Sequence, residues 1–383
     1  MYDAIIVGAR CGGSPTAMLL ARKGHRVLVL DRARFPSDTL STHFIQQPGV
    51  ALLARWGFLE PLLAAGTPPV AKAAVGSIDA VSPFEIPEVP GVPGPLAPRR
   101  TILDKLLVDG AKQAGAEVRE GFTFQDPVIE DGRVTGITGR GEDGQSITES
   151  ARIVIGADGR NSSFASKVGA ERVEEVPPLT CGYYSYWSGV PSDSAEVYFG
   201  DERTHIVFPT NDGLTVVIGL WPVERFSELR REAERHYTAA VETAPLLSDR
   251  IRSGNREERI FGTGELDNFL RRSVGPGWAL VGDAGYHKDP TPADGISDAF
   301  TAADALSEAV DSILAERSPE DESLASYQRR RDETALPHFR LCMSISSFET
   351  PIEKRAADFA ENAALSYLEA LAISQTTQQT TPA

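Results

Sequence analysis

Cysteine is scarce. Cys11, Cys181 and Cys342 are the only three in 383 residues, odd in number and far apart, and they read as reduced cytoplasmic thiols, not a disulfide framework. The six histidines form no HxH or HExxH pattern and pair with no cysteine, so a catalytic metal is not expected. No apolar run approaches the ~20 residues that span a bilayer. The chain opens directly into an apolar strand, with no basic leader and cleavable apolar segment ahead of it. Positive charge is also short: 38 Lys and Arg stand against 54 Asp and Glu, a formal charge of −16. That balance speaks against nucleic acid or an anionic membrane surface as a partner. No internal repeat appears. What remains, 41% hydrophobic and 24% charged residues, is an ordinary globular composition long enough for two or three cores.

The residues that are present say most at the start. In AIIVGARCGGSPTAMLLARKGHRVLVLDR (4–32), Ile5-Ile6-Val7 reads as a strand buried on both faces. Gly8 follows at once, where a tight turn needs a residue without a Cβ. From Gly13, residues Ala17, Leu19, Leu20 and Ala21 recur at helical spacing, and Gly24 stops that helix. A second apolar strand, Val27 to Leu30, ends at Asp31. Glycines at the turn, a helix N-terminus beyond them and an acid about 20 residues on form the arrangement that holds a dinucleotide. Arg10 stands where the second glycine of that fingerprint falls. Two readings are open: its side chain points outward while Gly12 lends the loop freedom, or its guanidinium adds a contact to phosphate or substrate.

Two more strands end in aspartate and glycine. ARIVIGADGRNSSF (151–164) closes a strand in Asp158-Gly159. GWALVGDAGYHKDPTPADGISDAF (277–300) closes another in Gly282-Asp283, and after a proline-rich loop Gly295 opens a helix. An aspartate there is placed for sugar-like hydroxyls, and the helix N-terminus turns its partial positive charge toward the crevice.

Together these motifs resemble the single-component aromatic hydroxylases of the para-hydroxybenzoate hydroxylase-like superfamily, FAD-dependent monooxygenases whose relatives include geranylgeranyl reductases and flavin halogenases. The resemblance rests on the glycine loop (Gly8, Gly13, Asp31), the DG motif (Asp158-Gly159, with Ser162) and the GD motif (Gly282-Asp283, Pro290, Gly295). It implies an α/β fold: a Rossmann-like FAD-binding domain of the GR2 type, an interleaved antiparallel-sheet substrate domain, and C-terminal helices. It also implies FAD contacts from Gly8, Arg10, Gly12, Gly13, Asp31, Arg32, Arg100, Asp158, Gly282, Asp283, Pro290, Gly295 and Ile296. Among these, Asp31 would take the adenosine ribose, Asp283 the ribityl chain, and Arg100, heading a helix in RRTILDKLL, the flavin or its phosphate. Pro290 and Gly295-Ile296-Ser297 would lie along the isoalloxazine, with the helix dipole facing its N1–C2 edge. The chain departs from the family at Ala165, where the DG motif has arginine, at Tyr286, where the GD loop has histidine, and at Ala293, where it has a second glycine. The halogenase motif WxWxIP and a lysine like the halogenase catalytic one are absent, so halogenation is not implied.

By the same resemblance, residues 1–67, 99–172 and 264–320 form the FAD-binding domain and 68–98 with 173–263 the substrate domain. Residues 321–374 are C-terminal helices, and the polar low-complexity stretch 375–383 is a disordered tail. Residues 178–222 turn aromatic and alternating around Asn211-Asp212-Gly213, which predicts an antiparallel sheet. Tyr184, Tyr186, Phe208 and Trp221 are the expected pocket residues. Alternation lets either Tyr184 and Tyr186 or Tyr183 and Trp187 face the pocket, not both sets.

The implied activity is that of an FAD-dependent oxidoreductase. Its first form is an NAD(P)H-dependent monooxygenase that hydroxylates a small aromatic or unsaturated molecule through a flavin C4a-hydroperoxide. The alternative is a geranylgeranyl-reductase-like enzyme acting on a C=C bond, and a third reading is a non-redox flavoprotein or NAD-only binding protein. NAD(P)H is the expected donor, directly or through a partner flavin reductase. A base would assist hydroxylation by about 10²–10⁴-fold. His43, in LSTHFIQQPG, and His287, in the GD loop, are the candidates.

Overall fold

The computed structural model describes residues 1–380, with side chains through 377. The elements that frame the site are β1 (Tyr2–Val7), α1 (Gly13–Arg22), β2 (Val27–Asp31), α2 (Arg100–Gln113), β3 (Ser146–Gly156), β4 (Thr180–Ser188), β5 (Thr204–Pro209), β6 (Thr215–Pro222), β7 (Trp278–Leu280), α3 (Gly295–Leu314), α4 (Glu320–Ser346) and α5 (Ile352–Thr380).

β1 sits at the centre of a parallel sheet because both of its faces are apolar: Ala4, Ile5 and Ile6 are fully buried. β2 pairs with it on one side and β3 on the other, and β7 extends the sheet beyond β3. All four strands run the same way, so their C-terminal ends open together at one edge, where ligands of such sheets bind. α1 packs between α2 and α3 over one face of the sheet, burying Ala17, Met18 and Leu20 with Leu103, Leu107 and Phe300. The first turn admits only glycine. Gly8 has φ +108°, and a Cβ on Gly13 would lie 1.8 Å from the Gly8 carbonyl oxygen.

A second, mixed sheet draws on residues far apart in the chain. β4, β6 and β5 pair antiparallel, continue through Ser194–Phe199, and end in the hairpin Lys72–Ser77 and Ala80–Glu85. Its outer face, with Tyr183, Trp187, Val217 and Trp221, packs on Tyr237, Val241 and Ile251 of the helices that follow. The inner face, with Tyr184, Tyr186, Phe208, Ile218 and Leu220, meets Phe44 and Ala97. The indole N–H of Trp187 donates to the Tyr237 hydroxyl at 2.9 Å, which fixes the outer seam.

The polar stretch expected to be disordered from 375 is helical through Thr380. Polar side chains satisfy that helix without an apolar face. Ser374 donates to the Pro90 carbonyl at 2.6 Å, and Thr376 and Thr377 donate one turn back to Ala372 and Ile373. Residues 381–383 lie outside the described residues. No described helix is long and apolar enough to cross a membrane.

Candidate active site

One continuous cavity of ≈ 760 Å³ gathers all four strand ends. Gly8 and Asp31 line it from β1 and β2, Asp158 and Gly159 from beyond β3, and Gly282 and Asp283 from beyond β7. Arg10, Gly12, Arg32, Arg100, Pro290, Gly295 and Ile296 line it as well. Gly13 does not; it is buried in the contact of α1 with the first turn.

The wall is chemically suited to an extended phosphodiester dinucleotide. α1 and α3 both present their N-termini to the cavity, and neither has a side-chain cap. With no capping side chain, both helix ends turn their partial positive charge toward the cavity. Asp31 braces the loop by accepting from Ala9 N–H and Ala33 N–H, each at 2.7 Å. Asp283 is half-buried, and among the described residues its carboxylate accepts no hydrogen bond. It is free for ligand hydroxyls. A Cβ on Gly295 would meet nothing within 4 Å, so the start of α3 borders open space. Asp158 is turned elsewhere: its carboxylate accepts from Ser162 at 2.5 Å and from Phe164 N–H at 3.1 Å, so it anchors the helix Ser163–Lys167.

Arg10 neither turns out to solvent nor stands unpaired. Its guanidinium is ion-paired with Asp104, a residue of α2 that is fully buried. Arg100 grips the same carboxylate at 3.0–3.1 Å. Burial works against the charge of Arg100, but Asp104 holds its pKa above the ordinary arginine value. Two guanidinia on one carboxylate leave an excess positive charge beside the glycine turn. Nothing in sequence periodicity marks Asp104, which looks like one more acid on an amphipathic helix.

At its other end the cavity becomes an aromatic recess beneath the second sheet, lined by His43, Phe44, Tyr184, Ile218, Leu220 and Leu266. The choice between the two tyrosine sets falls to Tyr184 and Tyr186. Tyr186 and Phe208 stand behind His43 and do not line the cavity: the Tyr186 hydroxyl lies 3.0 Å from His43 Nε2, and Phe208 meets the imidazole edge-on at 6.2 Å. Trp221 was expected in the pocket and is on the opposite face. It follows Leu220 on β6, so alternation sends it outward against Tyr183, 6.1 Å away ring to ring. His43 is 1% exposed, and its Nδ1 has no hydrogen-bond partner among the described residues. Burial, then Arg99 and Arg100, lowers its pKa to about 3.

His287 also lines the cavity, with Nδ1 bound to the Asp267 carbonyl and the ring stacked on Phe269 at 5.9 Å. Its neighbour Lys288 lines the cavity too. The Lys288 side chain is 2% exposed, ion-paired with Asp298 and 3.5 Å from Asp294, and lies over the Tyr286 ring. Behind it, His338 of α4 contacts Asn362 at 2.7 Å and Glu369 at 3.0 Å on α5. The C-terminal helices thus brace the GD loop through charges whose partners are distant in sequence.

A parallel sheet whose strand ends share one groove, with two open helix N-termini and an aromatic recess beyond, defines an FAD-dependent oxidoreductase. Residues 1–336 match the family model described as FAD binding domain, and the chain belongs to that family, within the para-hydroxybenzoate hydroxylase-like superfamily. It is 28% identical over 343 residues to digeranylgeranylglycerophospholipid reductase 2 of Methanopyrus kandleri, covering 86% of this chain and 81% of that one. The fold superposes on the myxobacterial chondrochloren halogenase CndH, a variant FAD-dependent halogenase, with a TM-score of 0.83 and 20% identity, covering 99% and 97% of the two chains. It superposes equally on PqsL of Pseudomonas aeruginosa, described as a probable FAD-dependent monooxygenase, with a TM-score of 0.79 and 20% identity over 94% and 99%.

Proposed function

We propose that this protein is a cytoplasmic FAD-dependent monooxygenase that oxygenates a small aromatic or unsaturated molecule held beneath β4 and β6. The carrying observation is the unbroken passage from the four strand ends into the aromatic recess at His43. When bound, FAD would supply the redox chemistry, hydride acceptance from NAD(P)H, directly or by way of a separate reductase, and oxygen activation.

The chain's own residues orient and enclose. Asp31 would accept hydrogen bonds from the ribose hydroxyls, while the α1 N-terminus and the excess cation at Arg10 and Arg100 would hold the diphosphate. Asp283 would take the ribityl hydroxyls, and Pro290, Gly295 and Ile296 would hold the ring, where the α3 N-terminus would favour negative charge. In the recess, Phe44, Ile218, Leu220 and Leu266 exclude water from the substrate and Tyr184 offers an aromatic face. His43 is too weak a base to store a proton. It holds an acidic substrate hydrogen at Nδ1 and shares a hydrogen bond with Tyr186 at Nε2. His287, with Nδ1 occupied, offers Nε2 as the second such group.

Reduction of a C=C bond is the second reading, favoured by the 28% identity to an archaeal lipid reductase. Halogenation is not proposed, because the cavity lysine, Lys288, is held by Asp294 and Asp298. The test is to load the protein with FAD and supply NAD(P)H with a panel of phenols, indoles and isoprenoid alkenes. Substrate-triggered NAD(P)H oxidation with matching O₂ uptake supports oxygenation. Product formed without oxygen replaces it with the reductase reading, and a chain that takes up no flavin rules out both.

A further inference from the structure

The arginine in place of the fingerprint glycine makes contacts that dinucleotide binding does not call for. Its guanidinium reaches toward residues 34–43, a segment with no helix or strand that walls the cavity through Thr39, Leu40, Ser41, Thr42 and His43. Arg10 Nη2 donates to Ser37 Oγ at 2.9 Å and to the Asp38 carbonyl at 3.3 Å, and Nη1 approaches the Ser37 carbonyl at 3.5 Å. The guanidinium carbon lies 5.3 Å from the centre of the Phe35 ring. On its other side the same guanidinium is ion-paired with Asp104, which α2 and Arg100 hold immobile.

Apart from Arg10, side chains also hold its start, where Phe35 N–H donates to Glu120 at 2.8 Å and Arg34 pairs with Glu142 at 2.5 Å. Among the described residues, no backbone-to-backbone hydrogen bond involves residues 36–43. At its far end, Ser41 N–H donates to the Tyr184 hydroxyl at 3.3 Å, and His43 meets Tyr186. A strand would spread the load over a ladder; here side chains carry it, and the charged ones carry most.

We propose that Arg10 is the positioning residue of this segment: it bolts residues 37 and 38 to Asp104 and so holds Ser41 and His43 against the recess. A glycine at position 10 leaves the same backbone turn but no bolt. The ordering claim stands on contacts alone, whereas its effect on substrate rests on the monooxygenase reading.

Hydrogen–deuterium exchange read by mass spectrometry separates the two, on the full chain with and without added FAD. In R10G, the amides of Thr39, Ser41 and His43, which donate to the Asp38, Tyr184 and Ser41 side chains, exchange about tenfold faster while β1, β2 and α2 are unchanged. R10K, which keeps the ion pair but loses the fork, falls between R10G and the parent. S37A gives a smaller rise in the same amides, and with substrate it raises KM while flavin affinity holds. Unchanged exchange of 36–43 in both R10G and S37A overturns the proposal, as does a rise spread equally over β1 and β2, which would make Arg10 a support of the turn alone. A parent chain that binds no flavin defeats the functional reading and leaves the exchange result standing.

Discussion

The His43 and Tyr186 rings lie parallel to within 3°, 5.7 Å apart, with the Tyr186 hydroxyl 3.0 Å from His43 Nε2. His43 keeps a left-handed backbone, φ 46°, which a non-glycine residue adopts only when its surroundings hold it. Arg99 covers the Tyr186 ring at 3.9 Å and is itself paired with Glu258 at 2.6 Å. The pair is thus stacked, bonded and capped at the wall of the recess.

If this pair handles a substrate proton, Y186F lowers kcat by about 10-fold and H43Q by about 10²-fold, both with flavin uptake intact. Steady-state kinetics beside a flavin titration makes the comparison. Full kcat in both variants would remove the pair from the mechanism.

Acid and alkali should destabilise the fold through different histidines. The pKa of buried His43 falls to about 3 and that of buried His205 to about 4, so between these values and the unfolded value near 6.5 the unfolded chain binds more protons. Stability is therefore lost as pH drops below about 6.5, by roughly 1.4 kcal/mol per pH unit for each histidine. His338 is the reverse. Burial opposes its charge, but Glu369 and Asp294 raise it to about 9, so its contribution is complete below the unfolded value and disappears as pH rises through 9. Urea unfolding at pH 5, 7 and 9 checks both limbs: H205F should flatten the acid side and H338Q the alkaline side.

The two faces of the second sheet should separate stability from ligand binding. Trp221→Ala costs about 3–5 kcal/mol of stability with substrate affinity unchanged, because it empties the outer seam. Tyr184→Leu changes affinity by about tenfold at a smaller stability cost. Denaturant midpoints and ligand titrations on the two variants decide it, and the reverse pattern would mean the faces are misassigned.

Asp31 and Asp283 differ in what their loss costs. D31N weakens the bonds to Ala9 and Ala33, so both the cofactor-free fold and FAD binding suffer. D283N leaves the cofactor-free melting unchanged within about 0.5 kcal/mol but raises the FAD Kd about tenfold. Calorimetric melting and titration of each variant give the contrast.

Gly295→Ala is a probe of where the flavin ring lies. The added methyl meets no protein atom within 4 Å, so the fold tolerates it to within about 0.5 kcal/mol. FAD affinity should nevertheless fall by at least about tenfold, since the methyl enters the ligand's space. Unaltered affinity would place the ring elsewhere.

The features legible in the sequence were those that backbone geometry demands locally. Gly8 at a positive φ, Asp31 at a strand end and Gly295 at a helix start each belong to a short stretch that must fold one way. Long-range charge pairs were not legible, because Arg10 reaches Asp104 and Arg99 reaches Glu258 only through tertiary packing. Arg331 shows the same limit. It lies in an arginine run that reads as a solvated or salt-bridged face; it does pair with Asp332, but it is buried and also donates to Ser273 and to the carbonyls of Gly285 and Arg271. Trp221 was misplaced for a simpler reason: aromatic content locates a sheet, and only the parity of the pairing tells which side a ring takes.

That parity has a use. Along β4, β5 and β6 the even-numbered side chains Tyr184, Tyr186, Phe208, Ile218 and Leu220 turn inward, and the odd-numbered Tyr183, Trp187, Val207, Val217 and Trp221 turn outward. Laboratory evolution can randomise alternate codons to diversify chemistry while leaving the scaffold's seam intact, and a natural lineage exploring new metabolites has the same freedom.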